Sequence, residues 1–333
     1  MITVYECGQG DSAFIQDLSL LVDLGEKQPN NLPNVSNIDL MISHSHDDHI
    51  FGIKLFNYNV NQLIVPAYLP ECNTIISKLK NKNTYKCSNK LRLVCDGMLL
   101  YNGKVRILNP PVEPWNNWKK VEKVTDDQVN SFLIEIGLSR EEIQNTLASL
   151  EYESEIPPIA NYNRDLFVIS MLKVIAYNYY SYQGNLSRAI NSFVNDEAND
   201  LSIIFSYKAD NNIIYLFTGD ANKKQFERIN LEDANALKCD VLKVPHHGSK
   251  NSLDQEIIGY MSPKIAIVSH NNRKFGNAKD SHPNQEILDL FENNKIPLFS
   301  TNDVLKEDKQ NNTQKIVMAK YRGTIKGYDI AIV

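Results

Sequence analysis

Short apolar runs closed by turn residues recur through the N-terminal third of the chain. "ITVYEC" and "SAFIQD" flank a Gly-Gln-Gly-Asp turn. "SLLVDLG" ends in Asp23 and Gly25, and "NIDLMIS" and "QLIVPAYL" follow. Apolar runs of this length, bounded by glycine, aspartate and asparagine, predict strands. From about Pro110 to Asp196 the period changes. "TDDQVNSFLIEIG" opens with Thr125 and Gln128 in capping-box spacing, carries Val129, Phe132, Leu133 and Ile136 on one face, and stops at Gly137. "SREEIQNTLASL" repeats the device with Ser139 and Glu142. "LFVISMLKVIAYNYY", interrupted by Lys173 and Asn178, predicts a buried helix over Leu166–Ser181 that is too short to span a bilayer.

Strand signals then return. "DLSIIFSY" and "NIIYLFTGD" are separated by an asparagine-rich turn, "CDVLKVPHHGS" is an apolar strand running into two histidines, and "PKIAIVSH" is another. "HPNQEILDLFENN" reads as a helix start, and the tail "QKIVMAKYRGTIKGYDIAIV" as two closing strands. The pattern predicts a layered α/β protein. It divides into residues 1–109, a helical insert over 110–196, and 197–333. Two capped helices in succession also fit a helix–turn–helix reader of DNA, but no basic second helix follows. A lid, docking arm or dimer interface are the other readings of the insert.

Composition narrows the class. A chain of 333 residues with 42% apolar and 23% charged positions is that of a soluble globular protein. The net charge of −5 argues against a surface coated for nucleic acid, while a local basic groove stays open. Five cysteines (Cys7, Cys72, Cys87, Cys95, Cys239), odd in number and never in a CxxC, form neither a disulfide framework nor a thiolate zinc site. A reducing, cytoplasmic setting follows, and "MITVYECGQGD" has neither the basic nor the apolar region of a signal peptide. No membrane partner is expected.

The histidines carry the chemistry. Five of seven lie at His44, His46, His49, His246 and His247; the others are His270 and His282. His44 follows one apolar run, Asp220 ends another, and His246 and His247 end a third. Side chains at strand ends are held rigidly and converge on one edge of a sheet. Imidazole and carboxylate without thiolate suit Zn²⁺, Mn²⁺ or Fe²⁺. His44 and His46 can reach one ion from a single loop, Asp48 and His49 a second, and Asp220 can bridge. Two such ions activate water and clamp a phosphoryl group. Each motif alone is weak: "SHSHDDH" fits a solvated loop, and "HHGS" or "TGD" fits a plain strand end.

In combination the motifs resemble a known family. "HSHDDH" is similar to the HxHxDH motif of the metallo-β-lactamase superfamily, through His44, His46, Asp48 and His49. Asp23 resembles its buried first-motif aspartate and Asp220 its bridging aspartate. "CGQGDSAFIQ", "NDLS", "LFTGD", "VLKVPHHGSKNS" and "SHPNQEIL" resemble, in order, the soluble hydrolase domain of ComEC, the bacterial DNA-uptake channel, and its stand-alone relatives. The resemblance covers roughly residues 1–105 and 197–333, and the helical segment between has no counterpart. It implies a four-layer αββα sandwich with metals at one edge. By the same resemblance His44 and His46 serve one metal position, Asp48, His49 and His247 a second, Asp220 bridges, and His246 lies beside the scissile group. Many superfamily members supply a third histidine to the first position; Asn199 is the nearest candidate here, as in the ComEC-type branch. That implies a weaker first position, with one metal held or Mn²⁺ preferred; the cofactor expected is one or two divalent ions, Zn²⁺ first and Mn²⁺ second.

The expected reaction is phosphodiester hydrolysis by a metal-activated water. Asp48 would orient the water or take its proton, and His246 or His282 would protonate the leaving oxygen. Asn199, Ser249, Lys250 and Asn271 are candidates for substrate contact; Lys243 reads equally as a surface residue, and His270 equally as structural. Nucleic acid is the first substrate class, supported by the basic run "KLKNKNTYKCSNKLR", which reads equally as a solvated lysine face. Trp115 and Trp118 can stack bases or pack in a core. A small substrate (a cyclic nucleotide, phosphocholine ester, lactone or thioester) is the second. A non-catalytic or partner-gated module, docked through the insert and acting as effector of a larger assembly such as an anti-phage defence system, is the third.

Overall fold

A computed structural model describes residues 1–27, 32, 37–50, 59–82, 91–150, 162–274, 280–308, 313–318 and 330–332. The first sheet contains β1 (Ile2–Val4), β2 (Ala13–Ile15), β3 (Leu20–Val22), β4 (Asn37–Met41), β5 (Asn59–Pro66) and β6 (Leu91–Val94). The second contains β7 (Leu99–Leu100), β8 (Val105–Asn109), β9 (Ile204–Lys208), β10 (Ile214–Phe217), β11 (Val241–Lys243), β12 (Ile265–Val268) and β13 (Leu298–Ser300). A hairpin of β14 (Val304–Asp308) and β15 (Thr313–Met318) follows, and β16 (Ile330–Ile332) returns to pair with β1. Among the described residues each large sheet has seven strands, in the orders β16-β1-β2-β3-β4-β5-β6 and β13-β12-β11-β10-β9-β8-β7. In both, antiparallel pairing gives way to parallel pairing: β3 to β6 run parallel in one, β10 to β13 in the other.

Strand periodicity explains the layering, because successive side chains face opposite sides of a sheet. Ile2, Val4, Ala13, Ile15, Leu20 and Val22 of the first sheet share one apolar core with Phe205, Tyr207, Tyr215, Phe217, Val241 and Ile267 of the second. The intervening residues face outward. Phe14, Leu21, Leu40, Val65 and Leu93 pack with Tyr5, Leu24 and Leu69 on the outer side of the first sheet. Ile204, Leu216, Leu242, Ala266 and Val268 pack under helices on the outer side of the second.

The helices, in chain order, are α1 (Asp47–Ile50), α2 (Leu69–Leu79), α3 (Asp126–Glu135), α4 (Arg140–Ala148), α5 (Arg164–Ser181), α6 (Leu186–Phe193), α7 (Lys223–Glu232), α8 (Gln255–Met261) and α9 (Gln285–Asn293). Phe226 of α7, Ile257 and Ile258 of α8, and Ile287 and Phe291 of α9 complete the outer core of the second sheet. The protein is a mixed α/β structure with two face-to-face sheets and helices outside them.

The described residues of 110–196 are mainly helical and share a further apolar core with residues such as Tyr68, Cys72 and Ile75. Both capping boxes form: Thr125 accepts from the Gln128 N–H, and Ser139 from that of Glu142. Asn163 caps α5, which therefore begins two residues earlier than its apolar run. α5 is buried on most sides (Phe167, Val168, Met171, Leu172, Val174, Ile175), as a helix without a strong polar face must be. Its neighbours include α2, a helix the apolar pattern did not single out, through Tyr68, Cys72, Ile75 and Leu79. Trp118 is 2% exposed and packs against Phe167 and Phe193, and Trp115 is buried beside Tyr68. Neither tryptophan is available to stack on a base; their indoles belong to this core. The first turn of α4 carries Glu141 and Glu142, which is no surface for a phosphate backbone. Most of the basic run over residues 78–92 and of the C-terminal tail lies outside the described residues. Among the described residues, no helix is long and apolar enough to cross a membrane.

The Phe167 ring is fully buried and stacked 4.5 Å from that of Tyr68. Phe167→Ala is expected to cost about 3–5 kcal/mol, the range for deleting a buried aromatic ring. Urea denaturation measures it, and an unchanged midpoint would contradict this packing.

Candidate metal centre

The parallel strands deliver polar residues to one edge. In the first sheet β3 runs into Asp23, and β4 into Ser43, His44, His46, Asp48 and His49. In the second, β10 runs into Asp220, β11 into His246 and His247, and β12 into Ser269 and His270. These groups meet between the sheets, at the carboxyl ends of the strands, where open parallel sheets place ligands.

Asp220 is the point of convergence. Its carboxylate lies 3.7 Å from His44 Nε2, 3.3 Å from His49 Nε2, 3.6 Å from His247 Nε2 and 3.8 Å from His246 Nε2. Asp48 Oδ2 lies 3.4 Å from His247 Nε2. Three sets of donor atoms fall within 4.8 Å of one another: His44, His46 and Asp220; Asp48, His49 and His247; Asp11, His49 and Asp220. Sequence reasoning anticipated the first two groupings. It missed Asp11.

The far sides of the rings explain why Nε2 turns inward. Asp23 Oδ2 accepts from Ser43 Oγ at 2.6 Å and from His49 Nδ1 at 2.8 Å, while Oδ1 accepts from the Ser43 N–H at 2.7 Å. Ser43 has spent its proton on Asp23, so at 3.0 Å its oxygen accepts from His44 Nδ1. His247 Nδ1 donates to the Ser269 carbonyl at 3.2 Å. Each of these rings thus carries its proton on Nδ1, which leaves the Nε2 lone pair facing the cluster. Such outer hydrogen bonds set the tautomer of a metal-binding histidine. Nε2 of His44, His46, His49 and His247 and Oδ1 of Asp220 are buried without a hydrogen-bond partner. Buried polar atoms normally have one. One or two divalent cations held by these sets would satisfy such atoms, so the residues fit such an ion.

Electrostatics agree. Burial alone would lower the His49 imidazole, but Asp220 and Asp23 outweigh it and hold it well above its ordinary value. His247 is likewise raised against burial by Asp220, Asp48 and Asp11. Burial and the neighbouring His49 push His44 well down. Burial opposes ionisation of Asp220 and Asp48, yet the surrounding imidazoles keep both below the usual carboxylate range. The cluster is therefore a sink for positive charge, and protons and a metal ion compete for the same Nε2 atoms.

The backbone is bent to suit. His246 and His247 both adopt left-handed conformations, at φ 48° and 52°, and Asp23 another at 55°. Non-glycine residues held there cost about 1–3 kcal/mol each and concentrate at functional sites. Gly248 follows at φ 80°, where a Cβ would meet Pro283 at 2.4 Å. Gly10 is required by close approach: a Cβ there would lie 1.5 Å from the Asp48 carbonyl oxygen. The Gly-Gln-Gly-Asp turn thus braces the Asp48 loop directly.

The remaining candidates spread around this core. His246 and His282 pack edge to face, with ring centroids 5.7 Å apart. Burial and the nearby imidazoles push His282 down to about 3, and burial lowers His246 as well, so both rings are neutral near pH 7. Asn199 is buried, donates to the Asn195 carbonyl, and leaves Oδ1 unpartnered. Ser249 is buried, while Lys250 is exposed and anchored through its N–H to Asn284. Asn271 is turned toward the first half of the chain, donating to Gln9 and Glu26. His270 is structural: its Nε2 meets Ser300 Oγ at 2.7 Å, and it is buried. Lys243 is no surface residue; its ammonium is buried 2.6 Å from Asp11. A lysine inside the apolar run "VLKV" was the signal for that pair, since a buried ammonium needs an anion.

Fold and site together define a mixed α/β protein with a buried histidine–aspartate cluster able to hold a metal ion. Over 87 residues, 26% of this chain, the sequence is 37% identical to ComE operon protein 3 of Bacillus subtilis (strain 168). The chain spans 11% of that protein's length. No family model matches the chain.

Asp23 belongs to none of the three donor sets, yet it orients His49 and, through Ser43, His44. Asp23→Ala is expected to weaken Zn²⁺ binding about 10–100-fold, the range for loss of an outer hydrogen-bond partner. Competition with a chromogenic chelator measures it, and wild-type affinity would overturn the tautomer assignment. Affinity is also expected to fall as pH drops from alkaline values through neutrality, because the raised imidazoles of His49 and His247 take up protons above the ordinary imidazole range. Calorimetry in buffers of different ionisation enthalpy would register the released protons; a pH-independent affinity would contradict the competition.

Proposed function

We propose that this chain is a metal-dependent hydrolase of the metallo-β-lactamase type, an αββα sandwich that cleaves phosphodiester bonds in nucleic acid. The observation that carries the reading is the ring of inward-facing, unpartnered Nε2 atoms around Asp220. The likeness to the ComEC-type hydrolase domain, with the partial match to ComE operon protein 3, supports nucleic acid as substrate.

His44, His46 and Asp220 would hold one divalent cation, and Asp48, His49 and His247 a second. Such ions supply Lewis-acid charge for a phosphoryl oxygen and lower the pKa of water. Asp48 is ionised and partly exposed, so it is placed to accept a proton at the mouth of the cluster. His246 and His282 are neutral at working pH. They serve as N–H donors toward the departing oxygen rather than as imidazolium acids. Lys250, exposed beyond the His-His-Gly turn, supplies positive charge toward a phosphate. Burial of His44, His49, His247 and Asp220, with His46, Asp48 and His246 only partly open, favours a thin substrate. A single strand is the form of substrate this reading favours, and a small phosphodiester is the second reading.

Incubating the purified protein with end-labelled single- and double-stranded DNA and RNA, in Mn²⁺, Zn²⁺ or chelator, tests this. Cutting that requires metal, falls by at least about a hundredfold in Asp48→Ala, and weakens steeply with salt is expected. Cutting that survives chelator or Asp48→Ala would refute the assignment. Turnover confined to small diesters and insensitive to salt would replace the nucleic-acid substrate with a small one.

A further inference from the structure

Lys243 is 6% exposed although it lies on β11, among strands otherwise filled with apolar side chains. Val241 of the same strand faces the core between the sheets and Leu242 faces the outer helices, so Lys243 faces between the sheets. Its ammonium lies 2.6 Å from Asp11 Oδ1, and it also donates to the Val244 carbonyl. Asp11 comes from the Gly-Gln-Gly-Asp turn of the opposite sheet and is also 6% exposed. Its carboxylate lies 3.7 Å from His247 Nδ1 and within 4.8 Å of the donor atoms of His49 and Asp220. It is thus near enough to become a metal ligand. A small cavity lined by Asp11, Ser12, Asp23, Ser43 and Lys243 adjoins the pair, so packing alone does not hold Asp11 in place.

We propose that Lys243 is a positioning residue that withholds the Asp11 carboxylate from the metal cluster, fixing its ligand set and net charge. The inference rests on the cluster holding a divalent cation, as proposed above. As an intact pair, Asp11 and Lys243 add no net charge beside the ion. Broken in opposite ways, they push cation affinity in opposite directions. Asp11→Asn leaves an uncompensated ammonium beside the site, and Lys243→Met leaves an uncompensated carboxylate within reach of it. A pair that merely cross-links the sheets would lower stability in both variants and would not separate their affinities by sign.

The test is Zn²⁺ affinity by chelator competition, with the visible spectrum of the Co²⁺-loaded protein and thermal melting alongside. Asp11→Asn is expected to weaken Zn²⁺ binding about tenfold or more, and Lys243→Met to tighten it by on the order of tenfold. The Lys243→Met variant should also show a weaker Co²⁺ visible band, as an added carboxylate raises the coordination number. Since either single change breaks a buried ion pair and costs stability, Lys243→Arg and the double variant Asp11→Asn/Lys243→Met are measured too. Both keep the balance of charge and are expected to bind Zn²⁺ within about threefold of wild type. Equal affinities across the folded variants, shifts of one sign in both single variants, or a double variant that fails to recover would overturn the pair's role. Wild-type protein that binds neither ion would overturn this inference and the metal reading together.

Discussion

The structure is organised around a concentration of charge that its own core cannot tolerate uncompensated. Burying an ion costs several kcal/mol even after relaxation. Yet Asp11, Asp23, Asp220, His44, His49 and His247 are all buried within one small region between the sheets. Part of the charge is balanced within the protein, by the Lys243–Asp11 pair and by the Asp23–His49 contact. What is left over is a set of lone pairs aimed inward, and a divalent cation is the species that matches them.

The architecture supplies the means to hold such a set. Both sheets switch from antiparallel to parallel pairing, and the parallel strands of each end at the same edge. The candidate ligands therefore come from short loops anchored in paired strands, and the outer ring nitrogens of His44, His49 and His247 bond to groups on that same framework: Ser43, Asp23 and the Ser269 carbonyl. The left-handed turn at His246–His247 and the close passage of Gly10 over Asp48 are local strains that this framework can carry. The described helices between residues 110 and 196 share one apolar core with α2 of the first sheet's layer.

Much of this was legible in the residue pattern, for physical reasons. Central strands such as "NIDLMIS" and "NIIYLFTGD" are short apolar runs with polar residues at their ends, so the strands, and the polar residues that cluster at their ends, could be read from them. The capping boxes at Thr125 and Ser139 are local chemistry and formed where their spacing placed them. Helices α2, α6, α7 and α8 escaped notice because their apolar residues are isolated among polar ones, as Phe226 and Ile229 are in α7, and form no continuous apolar run. The Lys243–Asp11 contact could not be foreseen as a pair, since its partners are separated by most of the chain and come from opposite sheets. The tryptophans were ambiguous for a similar reason: whether an indole is a base platform or a core residue depends on what packs over it, here Phe167 and Phe193.

The most direct test of the central claim is where a divalent ion sits. Anomalous diffraction from crystals grown with Zn²⁺ or Mn²⁺ would locate it. The account predicts one or two peaks bounded by the Asp220 carboxylate and the Nε2 atoms of His44, His46, His49 and His247, with the Nδ1 atoms still turned to Ser43, Asp23 and Ser269. No peak in that space, or ions bound only to exposed carboxylates elsewhere, would contradict it.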